Sequence, residues 1–246
     1  MPDFYFCKSN FCFAISTNSW FYLYMISKDK TITYGTLKNF DKAFFCADLV
    51  NATKASIVKI SAQDLVEELR TFDNNDLIYT GAGISKKAGI PVQKELESLL
   101  YLDDEERLYK TAICNPSLLI SKFRFFVLRM TVAKPTESHY HINRIVTSKK
   151  CRLVTENLDF LHEKAGTFAT HVFKRYDEVA ALKPNRVCLI GIGKPYFQSV
   201  IKKWNATGTK LFNIALEDTY INGVNVFLLR TDLHDFFSNH IDVIAQ

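Results

Sequence analysis

The sequence predicts an α/β protein built on a doubly wound, mostly parallel sheet of the Rossmann type. From residue 61 onward, short apolar runs alternate with helical patterns, which is the order of elements in such sheets. The apolar runs are continuous rather than alternating, as expected for strands that are buried on both faces. The first of these runs ends in a turn that contains Gly81 and Gly83.

The N-terminal part of the chain predicts a small, separate α/β extension. Its apolar segments are rich in aromatic and β-branched residues, and polar turns separate them. The predicted elements are strands at residues 11–16, 20–26, 31–34 and 56–60 and a helix at residues 41–51. We therefore expect one domain at residues 1–60, with no recognisable chemistry, and a second at residues 61–246.

The second domain is predicted from its regular succession of helices and strands. Ser61 is placed to cap the first helix, and Asp64 completes a capping box. The strands are expected at residues 77–80, 152–155, 186–190, 210–214 and 224–229, and the later helices at residues 95–100, 105–113, 117–130, 138–146, 196–204 and 232–239.

The composition is typical of a globular protein and excludes little. Of the 246 residues, 48% are hydrophobic and 23% are charged. The formal net charge is +5, and the basic residues are spread along the chain without forming a block. Nucleic-acid binding is therefore not indicated.

No segment predicts a membrane span or a secretion signal. The apolar stretch at residues 11–26 is interrupted by polar residues at 16–19 and falls short of the roughly 20 apolar residues that a span needs. No basic region with a small-residue cleavage site precedes it. We expect no membrane association and a cytoplasmic location.

The six cysteines are widely spaced, and no two form a C-x-x-C pair. Structural zinc sites with four thiolate ligands require such pairs, so we expect the protein to hold no zinc. Cys151 and Cys188 lie in apolar runs, where cysteine behaves as a small hydrophobic residue.

The glycine-rich turn at residues 81–85 is the first candidate for a binding site. Glycines at the carboxyl end of a strand allow the backbone to turn tightly and to approach a pyrophosphate. A third glycine at the spacing of G-x-G-x-x-G would fall on Lys86, so the general fingerprint is incomplete. A plain strand-to-helix turn is the alternative interpretation of this turn alone.

The wider sequence resembles the sirtuin family of NAD-dependent protein deacylases. Residues 80–91, T-G-A-G-I-S followed by G-I-P, resemble the first signature of that family. Residues 155–166, T-E-N-L-D-F-L-H-E-K-A-G, are similar to its second signature, T-Q-N-I-D-x-L-H-x-x-A-G. Residues 133–135 with His139 are similar to the segment that precedes the second signature. The resemblance extends from about residue 61 to the C-terminus.

The resemblance implies an NAD site with specific residue roles. The matching Asn157 contacts the nicotinamide ribose and orders a water molecule, Asp159 recognises the carboxamide, and His171 is the general base. An amide both donates and accepts, whereas a carboxylate accepts from an NH₂ group, so these residue types suit the roles. The cofactor contacts implied are Gly81, Ala82, Gly83, Ser85, Ile90, Pro91, Asn157, Asp159, Gly191, Gly193, Asn213 and Asp232.

Each of these residues also has a purely structural interpretation. Asn157 and Asp159 are common helix caps, and His171 could be a hydrogen-bonded strand histidine. His162 is expected to be structural. Ala215 stands where the family has an asparagine that faces the adenine ribose, and the alternative register places Asn213 there.

The sequence departs from the sirtuin pattern in three places. Residues 92–94 are Val-Gln-Lys where the family has D-F-R, and lysine does not replace a planar guanidinium. The segment between Gly166 and Arg186 is too short for the family's zinc module and lacks its cysteines. His171 follows Gly166 at a shorter spacing than usual.

Three functions follow as hypotheses. The first is a reduced sirtuin that cleaves the nicotinamide–ribose bond of NAD and transfers the ADP-ribosyl group to the acyl oxygen of an acylated protein. The second is an NAD hydrolase, favoured by the missing module. The third is a module that binds NAD or ADP-ribose without turnover, favoured by the altered residues 92–94.

Overall fold

The computed structural model describes residues 4–8, 11–15, 21–25, 56–101, 104–193, 195–216 and 223–246. The chain divides into two compact units, residues 1–50 and residues 51–246. The strand expected at residues 31–34 and the helix expected at residues 41–51 lie outside the described residues.

The described part of the first unit is a three-stranded antiparallel sheet. Its strands are β1 (Phe4–Lys8), β2 (Phe11–Ile15) and β3 (Phe21–Met25). Strand β2 lies in the middle, with Ile15 opposite Phe4 on one side and opposite Phe21 on the other. The strands predicted from the aromatic segments are confirmed, and β1 is an addition to them.

The second unit contains the predicted α/β elements. Its strands are β4 (Ile57–Lys59), β5 (Leu77–Thr80), β6 (Arg152–Thr155), β7 (Thr170–His171), β8 (Arg186–Ile190), β9 (Lys210–Ala215) and β10 (Val226–Arg230). Its helices are α1 (Ala62–Arg70), the 3-10 helix η1 (Ala82–Ala88), α2 (Gln93–Leu99), α3 (Glu105–Cys114), α4 (Pro116–Val132), α5 (Glu137–Lys149), α6 (Leu161–Lys164), α7 (Tyr176–Ala181), α8 (Gln198–Ala206) and α9 (Leu233–Ile244).

These strands form one parallel sheet in the order β4-β10-β9-β8-β5-β6-β7. From β5 the chain first builds outward through β6 and β7 on one side, and then through β8, β9 and β10 on the other. This is the strand order of a Rossmann sheet, so the predicted fold class is confirmed. The order reverses between β5 and β8, and ligands of such sheets bind beyond the carboxyl ends of the strands at that point.

The strand predicted at residues 56–60 is present, but it does not pair within the N-terminal extension. Strand β4 pairs in parallel with β10, with Ile57 opposite Val226. Parallel strands are joined through long connections, and therefore their partners cannot be read from neighbouring sequence. The expectation that this strand closes the N-terminal unit was wrong.

Helices α1, α5 and α9 cover one face of the sheet and contribute to its core. Ser61 caps α1 as predicted, since its hydroxyl oxygen accepts the Asp64 N–H across 3.1 Å. The buried apolar residues of these helices are Leu65, Val66, Leu69, Ile142, Ile145, Leu233, Phe236, Phe237, Ile241 and Ile244. Each large apolar side chain buried in this way contributes about 1.5–3 kcal/mol to stability.

Two cysteines of the sheet region are buried, as the apolar runs predicted. Burial raises the pKa of the Cys151 thiol to about 12, and it also raises the pKa of Cys188, which lies inside β8. Both thiols are therefore protonated and unreactive at neutral pH. Within the described residues, no helix has the length and apolar character needed to cross a membrane.

Candidate functional site

The glycine-rich turn after β5 packs directly on the loop after β8, at the point where the strand order reverses. The Gly81 N–H donates to the Ile190 carbonyl across 3.0 Å, and the Gly83 N–H donates to the Gly191 carbonyl across 2.8 Å. Two loops that are more than 100 residues apart in sequence therefore form one continuous surface at the carboxyl edge of the sheet.

The glycines of this junction are required by backbone packing. A Cβ on Gly83 would lie 2.7 Å from both the Cα and the carbonyl oxygen of Gly191, and a Cβ on Gly81 would lie 2.7 Å from Ile192 Cγ1. On the Cβ side of Gly83, the backbone of Gly191 therefore fills the space. The approach of this turn to a pyrophosphate stays a prediction.

Open space lies instead beside Gly193. A Cβ at this position would meet nothing within 4 Å among the described residues. Ala82, the first residue of η1, is half-buried on the neighbouring loop. Gly193 and Ala82 are therefore the glycine-loop positions where a ligand can approach the backbone.

Asn157 joins the second signature to the glycine-rich turn. It is 7% exposed, and its Nδ2 donates to the Gly81 carbonyl across 3.1 Å and to Ser85 Oγ across 3.3 Å. Its own N–H donates to Thr155 Oγ1 across 3.1 Å. From the part of the chain that the structure describes, no hydrogen bond reaches the Asn157 carboxamide oxygen, which is left to accept one from a ligand.

Asp159 is tied to the same turn through Ser85. The buried Ser85 hydroxyl donates to Asp159 Oδ2 across 2.6 Å, and the Leu161 N–H donates to Oδ1 across 3.0 Å. Burial raises the pKa of Asp159, and these two hydrogen bonds oppose the rise. Asp159 thus accepts from the first N–H of α6 and from the turn, so the structural and the ligand-binding interpretations both fit its position.

Two neutral histidines form hydrogen bonds with Ser85 and Thr80. His139 Nδ1 accepts from the Thr136 N–H, which leaves Nε2–H directed at Ser85 Oγ, 3.5 Å away. His162 Nε2 lies 2.8 Å from Thr80 Oγ1, and the rings of His139 and His162 are 4.9 Å apart. Burial lowers the pKa of His139 to about 3 and that of His162 to about 4. His162 is structural, as the sequence predicted.

His171, the predicted general base, lies on β7 next to Asn157. Its Nδ1 is 3.0 Å from the Asn157 carbonyl oxygen, and its Nε2 is 2.8 Å from Glu163 Oε1. Burial alone would raise the pKa of Glu163, but its hydrogen bonds, above all the one from His171, outweigh burial and lower it. The Asn157 carbonyl oxygen and the Glu163 carboxylate are both acceptors, so each ring nitrogen of His171 faces an acceptor.

The remaining residues of the first signature form the wall of the site. Ile90 is buried against Ala133 and Leu161, and Pro91 is half-buried beside it. The divergent segment begins α2, where the Val92 N–H donates to Glu95 Oε2 across 3.0 Å. Lys94 is exposed on that helix, so it does not take over the role of the family's arginine within the site.

Two predicted cofactor residues serve the fold. Asn213 is fully buried inside β9, between Leu189 and Leu228, whereas Ala215 occupies the last position of the strand. Asn213 therefore packs within the sheet, and its contact with a cofactor stays a prediction. Asp232 caps α9 through the N–H groups of the following turn, and its Oδ1 lies 3.6 Å from Lys87 Nζ.

Glu156 has a defined position that sequence reasoning missed. Its Oε1 accepts from Tyr79 Oη across 2.7 Å, and the N–H groups of Tyr196 and Phe197 also donate to its carboxylate. The available signal was a carboxylate next to Asn157, where the sirtuin signature has glutamine. Glu163 was missed in the same way, since its partner His171 is eight residues further on.

A cavity of about 590 Å³ opens behind this network, between the end of η1, the start of α5 and the start of α9. Its charged lining residues are Lys87, Lys134, Glu137 and Asp235, so both signs are represented. Thr136, which holds His139, forms part of its wall. None of the residues predicted to contact a cofactor lines this cavity, and we place the candidate site on the other side of the network.

Comparisons with known proteins agree with this geometry. The model of the Sir2 family matches residues 81–186, which include both signatures. An NAD-dependent protein deacylase of Pyrococcus abyssi is 30% identical over 96 residues, 38% of each chain. An NAD-dependent protein deacylase 1 of Caldanaerobacter subterraneus is 29% identical over 133 residues, 53% of this chain and 54% of that protein. The chain thus spans little more than half, or less, of these curated relatives.

Solved structures with the same fold cover more of the chain. A structure of Sir2Tm bound to a propionylated peptide matches with a TM-score of 0.58 and 16% identity, over 74% of this chain and 98% of that one. A Sir2 structure with a p53 peptide and NAD+ matches with a TM-score of 0.53 and 15% identity, over 74% and 98%. These likenesses establish the fold.

Proposed function

We propose that this chain, which the model of the Sir2 family matches at residues 81–186, binds NAD and uses it to remove acyl groups from lysine side chains of proteins. In this reaction NAD supplies the ADP-ribosyl group, which is transferred from nicotinamide to the acyl oxygen. The activity, the acylated protein substrate and NAD itself are all part of the proposal. The curated relatives of similar sequence are NAD-dependent protein deacylases, which supports it.

One observation carries the proposal: Ser85 joins the two signatures at the carboxyl edge of the sheet. Its hydroxyl donates to Asp159 and accepts from Asn157, so residues from the turn after β5 and from the end of β6 have fixed positions relative to each other. Preorganised polar groups at the switch point of an open α/β sheet are typical of a nucleotide site.

The residues present fit a dinucleotide. The space beside Gly193 allows the close approach of a pyrophosphate to the backbone, and the Asn157 carboxamide oxygen is oriented by the two hydrogen bonds from Nδ2. In the proposal Ala82, Ser85 and Gly193 line the phosphate region. Asn157 holds a ribose hydroxyl or a water molecule, and Asp159 accepts from the carboxamide of nicotinamide.

His171 is the proposed base, and Glu163 forms a hydrogen bond with one of its ring nitrogens. In the arrangement described above, both ring nitrogens are engaged, one with the Asn157 carbonyl oxygen and one with Glu163. To accept a proton from a ribose hydroxyl, His171 must turn an unprotonated ring nitrogen toward the ligand. We propose that NAD binding supports that rearrangement, since Asn157 belongs to both the ligand site and the His171 hydrogen bond.

The occupied nitrogens of His171 favour a second candidate, an NAD hydrolase. Departure of nicotinamide depends on positioning and charge stabilisation, and water held near Asn157 can replace the acyl oxygen without a strong base. The third hypothesis, a module that binds NAD or ADP-ribose without turnover, differs from both in releasing no nicotinamide.

One assay separates these three functions. Purified protein is incubated with NAD, with and without an acylated peptide, and nicotinamide is measured. Release that requires the peptide, together with loss of its acyl group, supports the deacylase. Equal release in both mixtures supports the hydrolase, and NAD binding without release supports the non-catalytic module.

Further parts of the proposal concern location, metal and other partners. We propose a cytoplasmic location, where free cysteines such as Cys114, Cys151 and Cys188 are ordinary. We also propose that the protein holds no structural zinc and binds neither nucleic acid nor membranes. Metal analysis that found about one zinc ion per chain would contradict the second point.

A further inference from the structure

Glu156 lies between the two halves of the proposed site. It directly follows β6 and precedes Asn157, and its own N–H donates to the Thr80 carbonyl across 3.0 Å. The side chain is 8% exposed. Its carboxylate reaches over to the connection between β8 and α8, the same connection that contains Gly191 and Gly193.

The surroundings of this carboxylate consist of hydrogen-bond donors. Oε1 accepts from Tyr79 Oη across 2.7 Å and from the Phe197 N–H across 3.2 Å, and Oε2 accepts from the Tyr196 N–H across 3.1 Å. Burial raises the pKa of Glu156, and the three hydrogen bonds oppose that rise. Both carboxylate oxygens are used as acceptors, which an ionised carboxylate provides.

The glutamine of the family signature would not satisfy these donors. A carboxamide offers one oxygen acceptor, and its NH₂ group would face at least one N–H or hydroxyl of Tyr79, Tyr196 or Phe197. The carboxylate of Glu156 therefore provides the acceptors that the N–H groups at the start of α8 require. Leaving a buried donor unpaired costs about 1–3 kcal/mol.

Aromatic packing also fixes one end of the segment that Glu156 holds. The Phe197 ring contacts Phe173 and Tyr176, with centroids 4.8 Å and 5.7 Å apart. At its other end the connection is fixed by the Gly83–Gly191 contact. Gly193 lies between these two attachments, so the position of its backbone depends on both.

We propose that Glu156 is a positioning residue, whose carboxylate holds the connection at residues 191–197 so that Gly193 and Asn157 face the same ligand. This role rests on the proposed NAD site, but Glu156 itself does not touch the ligand. It acts through the backbone of Tyr196 and Phe197, and it couples the strand end that carries Asn157 to the loop that borders the phosphate region.

The test compares Glu156→Gln with Glu67→Gln, a matched change on the exposed side of α1. ADP-ribose affinity is measured by titration calorimetry, and exchange of the Tyr196 and Phe197 amide hydrogens is measured in the free proteins. We expect Glu156→Gln to weaken ADP-ribose binding about 10-fold and to speed exchange of both amides, because one acceptor is lost. Glu67→Gln should match wild type in both.

Kinetics separate positioning from a general loss of structure. If the protein turns over NAD, Glu156→Gln should raise KM for NAD with little change in kcat. Tyr79→Phe keeps the carboxylate and removes one donor, so it should weaken binding less, and it serves as the second variant should Glu156→Gln fail to fold. Wild-type affinity and exchange in both variants would overturn the positioning role alone. Failure of the wild-type protein to bind ADP-ribose would reject the proposed site and the positioning role together.

Discussion

Ser85 donates its hydroxyl hydrogen to Asp159 across 2.6 Å, although the two residues are 74 positions apart in the sequence. The bond joins the turn after β5 to the segment after β6, and both residues are buried. It converts two separate sequence signatures into one rigid edge of the sheet, and this relationship has measurable consequences.

Ser85→Ala should lower both stability and ligand affinity. The change removes a donor from buried Asp159 and an acceptor from Asn157, and buried polar groups left unpaired cost about 1–3 kcal/mol. The free energy of unfolding in urea and the thermal shift with NAD measure the two effects. Ser121→Ala, on the exposed face of α4, is the control, and an equal result for the two variants would contradict the role of Ser85.

Gly83→Ala should affect the stability of the fold, whereas Gly193→Ala should affect NAD binding. A methyl group on Gly83 would meet the backbone of Gly191 at 2.7 Å, so this change should destabilise the fold by about 1–3 kcal/mol through overpacking. The same group on Gly193 meets nothing within 4 Å among the described residues, so folding should be unaffected while NAD binding weakens. Thermal unfolding with and without NAD distinguishes them. Loss of stability in Gly193→Ala, or its absence in Gly83→Ala, would contradict this assignment.

The two buried histidines predict a specific pH dependence of stability. Burial lowers the pKa of His139 to about 3 and that of His162 to about 4, both from an ordinary value of 6.5, so each histidine is neutral in the folded protein. The unfolded chain binds the extra protons first as the pH falls. The contribution to stability is therefore complete above pH 6.5 and is lost as the pH falls toward 4 and then 3.

His162→Gln should reduce that dependence. Each histidine contributes a slope of up to about 1.4 kcal/mol per pH unit in the free energy of unfolding, so the variant should lose about that much slope at pH values between the folded and unfolded pKa. Urea unfolding at a series of pH values measures it. A slope identical to that of the wild type would show that His162 is accessible to protons in the folded state.

Asn157→Ala and His171→Ala should have different effects on nicotinamide release and on acyl removal. Asn157 lies in the ligand site of both enzymatic candidates, so its loss should suppress nicotinamide release with and without an acylated peptide. Loss of His171 as general base should reduce acyl removal by about 10² to 10⁴ while slow NAD hydrolysis persists. Both variants should still bind NAD in calorimetry. Full activity of His171→Ala on the peptide would move the search for the base to His139 or His162.

Most strands of the second unit were predicted because they are continuous apolar runs ending in glycine or a polar residue, whereas the two-residue strand β7 has no such run. The run at residues 77–80, for example, is β5 itself. The apolar runs did not reveal two other features of the fold. Asn213 lies in a strand buried on both faces, so no alternation showed which of its residues reach the edge of the sheet. Strand β4 could not be assigned to its sheet, since its partner β10 is about 170 residues away.

The sequence pointed to the candidate residues but not to the hydrogen bonds between them. Asn157, Asp159 and Ser85 were named through the two signatures, and in the structure Ser85 is hydrogen-bonded to both of the others. The hydrogen bonds of Glu156 and the contact of Glu163 with His171 depend on how distant loops meet, which one sequence does not reveal. The packing of Gly83 on Gly191 was missed for the same reason, because Gly191 follows another strand.

The central claim is that NAD binds at the junction of residues 81–91, 156–160 and 191–197. Hydrogen exchange of the wild-type protein, measured with and without saturating NAD, tests it most directly. We expect slower exchange in all three segments and unchanged exchange in residues 134–137 and 234–238, which line the cavity outside these segments. No protection at any NAD concentration, or protection confined to residues 134–137 and 234–238, would contradict this site.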